Sequence, residues 1–314
     1  MSRIQQLLDK AEREGAAART RGLAQSEPST APNAVPPATP PPGASVDVPG
    51  GTRSTGRVYD IAESSRGSFR RVDVVPDPML VSILAPQSPA AEQYRALRTR
   101  LAFAEDGRML RTIMVTSPGR GDGKTLTTLN LALTIAQEFQ RQVVLVDADL
   151  HRPSVHTLLG VPQSPGLVDV LAGAATLDDV LVEAADYRLV VVPAGSPSTR
   201  PAELLGSPGM RALLADLRSR FDRVLIDTPP AGVLADADVL APAVDGVVVV
   251  VRAGRTPRSA IERLLAKLAG SRLLGLVLND IGASGRDYAA KAYIDYQASR
   301  ENVQPRGGKR PARG

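Results

Sequence analysis

The chain has 314 residues, no cysteine, no tryptophan and a formal net charge of +5. The absence of cysteine excludes a disulfide framework, an iron–sulfur cluster and thiolate chemistry, and it suits a cytosolic protein. No apolar run approaches the length of about 18 residues needed to span a bilayer, and the first residues lack a secretory apolar region, so neither a membrane span nor a signal is expected.

The first expected element is an amphipathic helix within residues 1–22, where Ile4, Leu7, Leu8 and Ala11 repeat at helical spacing. Residues 23–84 read as a Pro-rich, disordered linker, with eight prolines between positions 28 and 51. A helix on such a tether has no core of its own, which makes a partner or a membrane face a candidate contact.

A helix over 89–103 follows, carrying an apolar stripe of Tyr94, Leu97 and Leu101 beside a charged arc of Glu92, Arg95 and Arg98. Strands are expected near 112–117, 143–147, 188–193, 223–227, 246–252 and 273–279, with helices between them. Several are nearly continuous Val, Leu and Ile, the composition of strands covered on both faces. The expectation is one α/β domain over 85–284, built on a doubly wound, mostly parallel sheet. Within it the helix 124–139 presents Leu126, Leu129, Leu133 and Ala136 as one stripe to the sheet.

Three strings in this frame carry chemistry. Residues 117–125 read Ser-Pro-Gly-Arg-Gly-Asp-Gly-Lys-Thr between a strand and a helix. Glycines let backbone N–H groups turn toward one anion, the helix N-terminus adds its dipole, and Lys124 adds a full charge. Gly119, Arg120, Gly121, Asp122, Gly123, Lys124, Thr125 and Leu126 are the expected cradle, with the Thr125 hydroxyl available to Mg²⁺. The other two strings, Val-Val-Leu-Val-Asp147-Ala-Asp149 and Val-Leu-Ile-Asp227-Thr-Pro-Pro, end strands in carboxylates. Parallel sheets collect such ends along one rim, where ligands bind.

The last segment, 285–314, holds seven basic and three acidic residues, whereas 85–284 hold 21 of each. The excess charge is thus mainly a basic tail rather than a stripe on the core, and with four phenylalanines in the whole chain no nucleic-acid partner is expected. Three of the six tyrosines, Tyr288, Tyr293 and Tyr296, fall in this tail.

Together, Pro-Gly-Arg-Gly-Asp-Gly-Lys-Thr, Val-Asp-Ala-Asp-Leu-His-Arg-Pro and Leu-Ile-Asp-Thr-Pro-Pro resemble the Walker A, A′ and B motifs of the bacterial tyrosine kinases. These are P-loop autokinases of the deviant Walker, partition-ATPase-like type that govern capsule and exopolysaccharide synthesis. Glu92-x-x-Arg95-x-x-Arg98 is similar to that family's oligomerisation motif, the tail tyrosines to its autophosphorylated cluster, and Met1-Ser2-Arg3-Ile4 with Lys10-Ala11-Glu12 to the start of its stand-alone, soluble branch.

The resemblance implies ATP and Mg²⁺ as cofactors. It implies that Lys124 holds the β/γ phosphates, that Thr125 and Asp227 attend the metal, and that Asp147 and Asp149 serve the metal or deprotonate the incoming tyrosine. Asn279 resembles the base-reading asparagine of related ATPases, and a loop cap is the other role open to it. A homo-oligomeric ring, a membrane-embedded polysaccharide co-polymerase as activator and a cognate tyrosine phosphatase are the implied partners, and the implied location is the inner face of the membrane, reached through that activator. Two features depart from the pattern: His151 stands where Arg is common, and the tyrosine cluster is sparse. A partition-type dimeric ATPase and a nucleotide-binding adaptor without kinase activity are the alternatives; the former usually carries a second lysine at the position of Gly119.

Overall fold

The computed structural model describes residues 69–282 except 106, 108, 139 and 140. The amphipathic helix expected in 1–22 and the tyrosines Tyr288, Tyr293 and Tyr296 lie outside the described residues. Eight strands form one sheet in the order β1-β4-β5-β3-β6-β2-β7-β8. They are β1 (Arg70–Val72), β2 (Thr112–Thr116), β3 (Val143–Asp147), β4 (Val182–Ala184), β5 (Leu189–Val192), β6 (Arg223–Asp227), β7 (Gly246–Arg252) and β8 (Leu273–Asn279). Every neighbouring pair is parallel except β4 with β5.

The strand composition explains the layering. All residues of β2, β3, β5 and β6 are buried, so both sheet faces are covered and polar alternation is absent. Successive residues feed opposite cores: Met114, Val146, Ile226 and Val249 enter one, while Val115, Leu145, Leu225 and Val248 enter the other. The expected doubly wound, mostly parallel architecture is the one observed.

The helices are α1 (Val81–Leu84), α2 (Pro89–Phe103), α3 (Lys124–Ala136), α4 (Val155–Leu159), α5 (Leu167–Leu171), α6 (Leu177–Val180), α7 (Pro201–Leu205), α8 (Pro208–Arg220), α9 (Asp236–Leu240) and α10 (Arg258–Lys267). Helix α2 begins where capping chemistry demands. The Ser88 hydroxyl accepts from Ala91 N at 3.1 Å, Pro89 occupies the first turn, and Glu92 supplies a negative charge near the positive end. Among the described residues no helix is long and apolar enough to cross a membrane.

Two expectations need correction. The linker expected to run to residue 84 stops short of it: Arg70–Val72 pairs with β4, and Leu80–Leu84 packs on α3. Leu80 is fully buried, and Ser82 donates its N–H to Asn130 Oδ1 and its hydroxyl to Asn130 O, each at 3.0 Å. Gln137 Nε2 donates to Ser82 O at 3.0 Å. These pairings give a short, proline-flanked segment more interaction than its composition suggests.

The second correction concerns α3. It does not present a single stripe, because 11 of its 13 residues are buried. With the sheet beneath and α1 and α2 above, its polar residues survive burial by bonding: Asn130 Nδ2 reaches Met79 O and Leu126 O, and Thr134 donates to Asn130 O at 2.6 Å. The interior setting fixes the start of α3 firmly under the phosphate loop.

Candidate active site

Strand β2 ends at the sheet centre, flanked by β6 and β7, and the chain then turns through Ser117–Gly123 into α3. The strand order reverses about this point, since β2 continues to β3 on one side and β6 continues to β7 on the other. This is the crevice in which open α/β sheets bind ligands.

Two glycines shape the loop. Gly121 has φ 77° and Gly123 φ 90°, values that L side chains rarely adopt. A Cβ on Gly123 would also stand 2.0 Å from Asn279 Nδ2. Gly123 is the N-cap of α3, no side chain caps that end, and no acidic residue occupies the first turn. The first-turn N–H groups therefore remain open to an external anion.

Lys124 rises from the first position of α3 into a group of aspartates. Its Nζ lies 2.7 Å from Asp149 Oδ2 and 3.5 Å from Asp227 Oδ2, and it donates to Thr125 Oγ1 at 3.1 Å. Burial lowers the lysine pKa, but the charges of Asp227 and Asp149 outweigh it and hold the ammonium above its ordinary value. Lys124 is therefore charged and already engaged.

The carboxylates are arranged by β-sheet register, which places Asp147 of β3 opposite Asp227 of β6. Asp227 is fully buried; it accepts from Thr125 Oγ1 at 2.7 Å and from Thr128 Oγ1 at 3.3 Å. Asp147 is also fully buried, accepting from Asp149 N at 3.2 Å and from Val155 N at 3.1 Å. Burial, then the nearby Asp227 charge, raises Asp147 to about 8. Burial likewise raises Asp227, against the opposing pull of Lys124. Three carboxyl groups against one ammonium leave the site short of positive charge.

The structure brings Gly119–Thr125, Asp147, Asp149 and Asp227 together, with Asn279 at the loop. Asn279 Nδ2 donates to Asp122 O at 3.0 Å. Leu126 brings no polar side chain to the loop, and its carbonyl accepts from Asn130 Nδ2 at 3.0 Å. Glu92, Arg95 and Arg98 lie elsewhere: Arg95 pairs with Glu92 at 2.7 Å and donates to Pro86 O, while Arg98 donates to Thr134 O at 3.0 Å and pairs with Glu138 at 3.2 Å. Thr134 is ten residues beyond Lys124 on α3, about 15 Å along the axis at 1.5 Å per residue. Tyr94 of α2 is half-buried, and burial raises its phenol despite a hydrogen bond with Thr127.

Sequence reasoning missed Thr128, Arg252 and Thr256, and it gave His151 no partner. Thr128 braces Asp227, and its Thr125-x-x-Thr128 spacing on one helix face was an available signal. His151 Nε2 stands 3.2 Å from both carboxylate oxygens of Asp236, which begins α9, so the residue that replaces an arginine has an acidic partner. Arg252, the last residue of β7, and Thr256, in the turn after it, touch the phosphate loop and belong to no motif.

The family pattern described as an AAA domain matches residues 110–271, just over half the chain. The tyrosine-protein kinase YwqD of Bacillus subtilis is 33% identical over 225 residues, covering 71% of this chain and 92% of that protein. The chain belongs to the bacterial tyrosine-protein kinase family. The tyrosine-protein kinase CpsD of Streptococcus agalactiae is 34% identical over 200 residues, covering 63% of this chain and 86% of that one. Among solved structures, the kinase domain of Escherichia coli tyrosine kinase ETK superposes with a TM-score of 0.63 at 32% identity, covering 69% of this chain and 84% of that domain. Membership in this kinase family assigns nucleotide binding to the P-loop fold.

Proposed function

We propose that this chain uses ATP and Mg²⁺ to phosphorylate tyrosines on other copies of itself, and that this cycle regulates exopolysaccharide or capsule polymerisation and export. The observation that carries the reading is the position of Lys124, bound at 2.7 Å to Asp149 beside an open helix N-terminus. Phosphates entering this cradle offer Lys124 a stronger partner than Asp149, so their arrival frees the carboxylate. Asp149 is 5% exposed, whereas Asp147 and Asp227 are fully buried, so Asp149 is the group placed to accept the proton of an incoming tyrosine. Tyrosine needs that help because its pKa of about 10 leaves little phenolate near pH 7.

The donor set also suits Mg²⁺. Thr125 Oγ1 and Asp227 Oδ2 are hard oxygens 2.7 Å apart, and Asp147 is adjacent. Among the described residues no three carboxylate or imidazole groups form a cage, which fits an ion that takes one or two protein ligands and completes its shell from phosphate and water. Bound there, the ion would neutralise charge that develops on the transferring phosphoryl group. The role assigned to this chain's own residues is to position: Lys124 and the loop amides hold phosphates, Thr125 and Asp227 hold the metal, and Asn279 lies against the loop where the base would approach.

In this reading Glu92, Arg95 and Arg98 contribute to a ring in which the tail of one copy, with Tyr288, Tyr293 and Tyr296, reaches the next copy's site. The activator is a membrane-embedded polysaccharide co-polymerase that would hold the protein at the membrane's inner face, and a cognate phosphatase would reset the tyrosines. Incubation of the full chain with ATP and Mg²⁺, followed by phosphosite mapping, tests the reading. Phosphotyrosine in the tail is the expected result. ATP hydrolysis without phosphotyrosine would favour a partition-type switch instead.

A further inference from the structure

The turn between β7 and α10 grips the crest of the phosphate loop from outside. Asp122, 5% exposed, uses both carboxylate oxygens: Oδ2 accepts from Gly119 N at 2.9 Å, and Oδ1 accepts from the Thr256 hydroxyl at 2.8 Å. Thr256 Oγ1 itself accepts from Arg252 N at 2.8 Å, so its single proton is directed at Asp122. Two loop carbonyls are held from the same side. Arg252 Nη1 donates to Gly121 O at 3.1 Å, and Asn279 Nδ2 donates to Asp122 O at 3.0 Å.

Peptide planarity turns these outward bonds into an inward effect. In a trans peptide unit the C=O and N–H groups point in opposite directions. Holding Gly121 O and Asp122 O outward therefore aims the N–H groups of Asp122 and Gly123 the other way, toward the cradle. A cleft of about 200 Å³ opens beside these bonds, lined by Gly119–Asp122 on one side and by Thr256, Pro257 and Ala260 on the other, so the hydrogen bonds are a direct tie between its two walls.

We propose that Thr256, acting through Asp122, is a positioning residue that keeps the phosphate loop in its anion-receiving shape before nucleotide arrives. The proposal rests on the reading of residues 119–125 as a nucleotide-phosphate cradle. A pre-shaped loop gains affinity because it need not be ordered on binding. Loss of the clamp therefore falls on nucleotide affinity rather than on the transfer step.

The test compares the full wild-type chain with Thr256→Val, Thr256→Ser and Asp122→Ala, measuring binding of a fluorescent ADP, KM for ATP, kcat and the melting temperature of the nucleotide-free protein. Thr256→Val is expected to weaken ADP binding and raise KM by about tenfold, the worth of one hydrogen bond to a charged group, with kcat altered less than twofold. Thr256→Ser keeps the hydroxyl and should restore wild-type values. Asp122→Ala leaves the Arg252–Thr256 bond in place but removes the Gly119 bond as well, so it should show at least the same tenfold loss, which keeps the test available if Thr256→Val does not fold. The double variant should bind no more weakly than Asp122→Ala alone, because the Thr256–Asp122 bond is already gone in it.

In a wild type that binds ADP, unchanged affinity in Thr256→Val or Asp122→Ala overturns the clamp alone. So does a fall in kcat at constant KM, or a Thr256→Ser variant as impaired as Thr256→Val. A wild type that binds no nucleotide overturns the cradle reading, and the clamp with it.

Discussion

Thr125 donates its hydroxyl to Asp227 across 2.7 Å, tying the first turn of α3 to the end of β6. The bond joins a residue that follows the phosphate loop to a carboxylate 102 positions later, so the start of α3 and the end of β6 are set by one contact. Lys124, the preceding residue, answers the same carboxylate at 3.5 Å.

Replacement of Lys124 by methionine is expected to lower tyrosine phosphorylation by about 10²-fold or more, the usual cost of losing one transition-state charge. The variant should also lose some stability at neutral pH. Lys124 is largely buried, with 11% of its side chain exposed, and its removal strips Asp149 and Asp227 of their cation. Melting curves of the nucleotide-free wild type and variant at neutral pH check the second part.

Stability of the nucleotide-free protein should fall as pH rises from about 4 to 8. Asp147 titrates near 3.8 when unfolded and at about 8 when folded, so across that interval the folded state binds the extra proton, and raising the pH removes it at the folded state's expense. Asp227, also raised, acts in the same direction. Asp147→Asn should flatten the dependence in melting experiments between pH 5 and 8.5. An unaltered slope would place the coupling elsewhere.

Asn130→Ala should destabilise the fold by about 2–3 kcal/mol, because Ser82 N would be left buried without its partner and Met79 O would lose its tie to α3. Denaturant unfolding reads the loss directly. A change below about 0.5 kcal/mol would mean that α1 is not clamped to α3 as described.

Charge reversal at Arg95 and Arg98 is expected to reduce both oligomer mass in light scattering and tyrosine phosphorylation. Arg98→Glu should in addition cost stability, since it faces Glu138 and loses Thr134 O. Unchanged mass with lowered stability would confine both arginines to bracing α2 on α3.

Much of this site was legible in sequence because strand-end carboxylates and a glycine turn carry their own geometry. A run of Val-Val-Leu-Val before Asp147 can only be a covered strand, and parallel register does the rest by setting Asp147 opposite Asp227. The expected helix 89–103 was legible through the stripe of Tyr94, Leu97 and Leu101, and its observed start is set locally by Ser88 and Pro89. What escaped is non-local. Thr256 meets Asp122 across 134 positions, and no periodicity marks an isolated threonine as a clamp. Burial of α3 on all sides was hidden because Thr127, Thr128, Asn130 and Thr134 read as polar, and it depends on α1, four residues in a segment whose neighbouring prolines suggested a linker.

The most direct measurement mixes two inactive proteins. The Lys124→Met chain keeps the tail tyrosines but lacks the phosphate-binding ammonium, while a chain with Tyr288, Tyr293 and Tyr296 changed to phenylalanine keeps the site and lacks the acceptors. With ATP and Mg²⁺, transfer between copies predicts phosphotyrosine on the Lys124→Met chain in the mixture and on neither protein alone. Hydrolysis of ATP in the mixture with no phosphotyrosine on either chain would contradict the account.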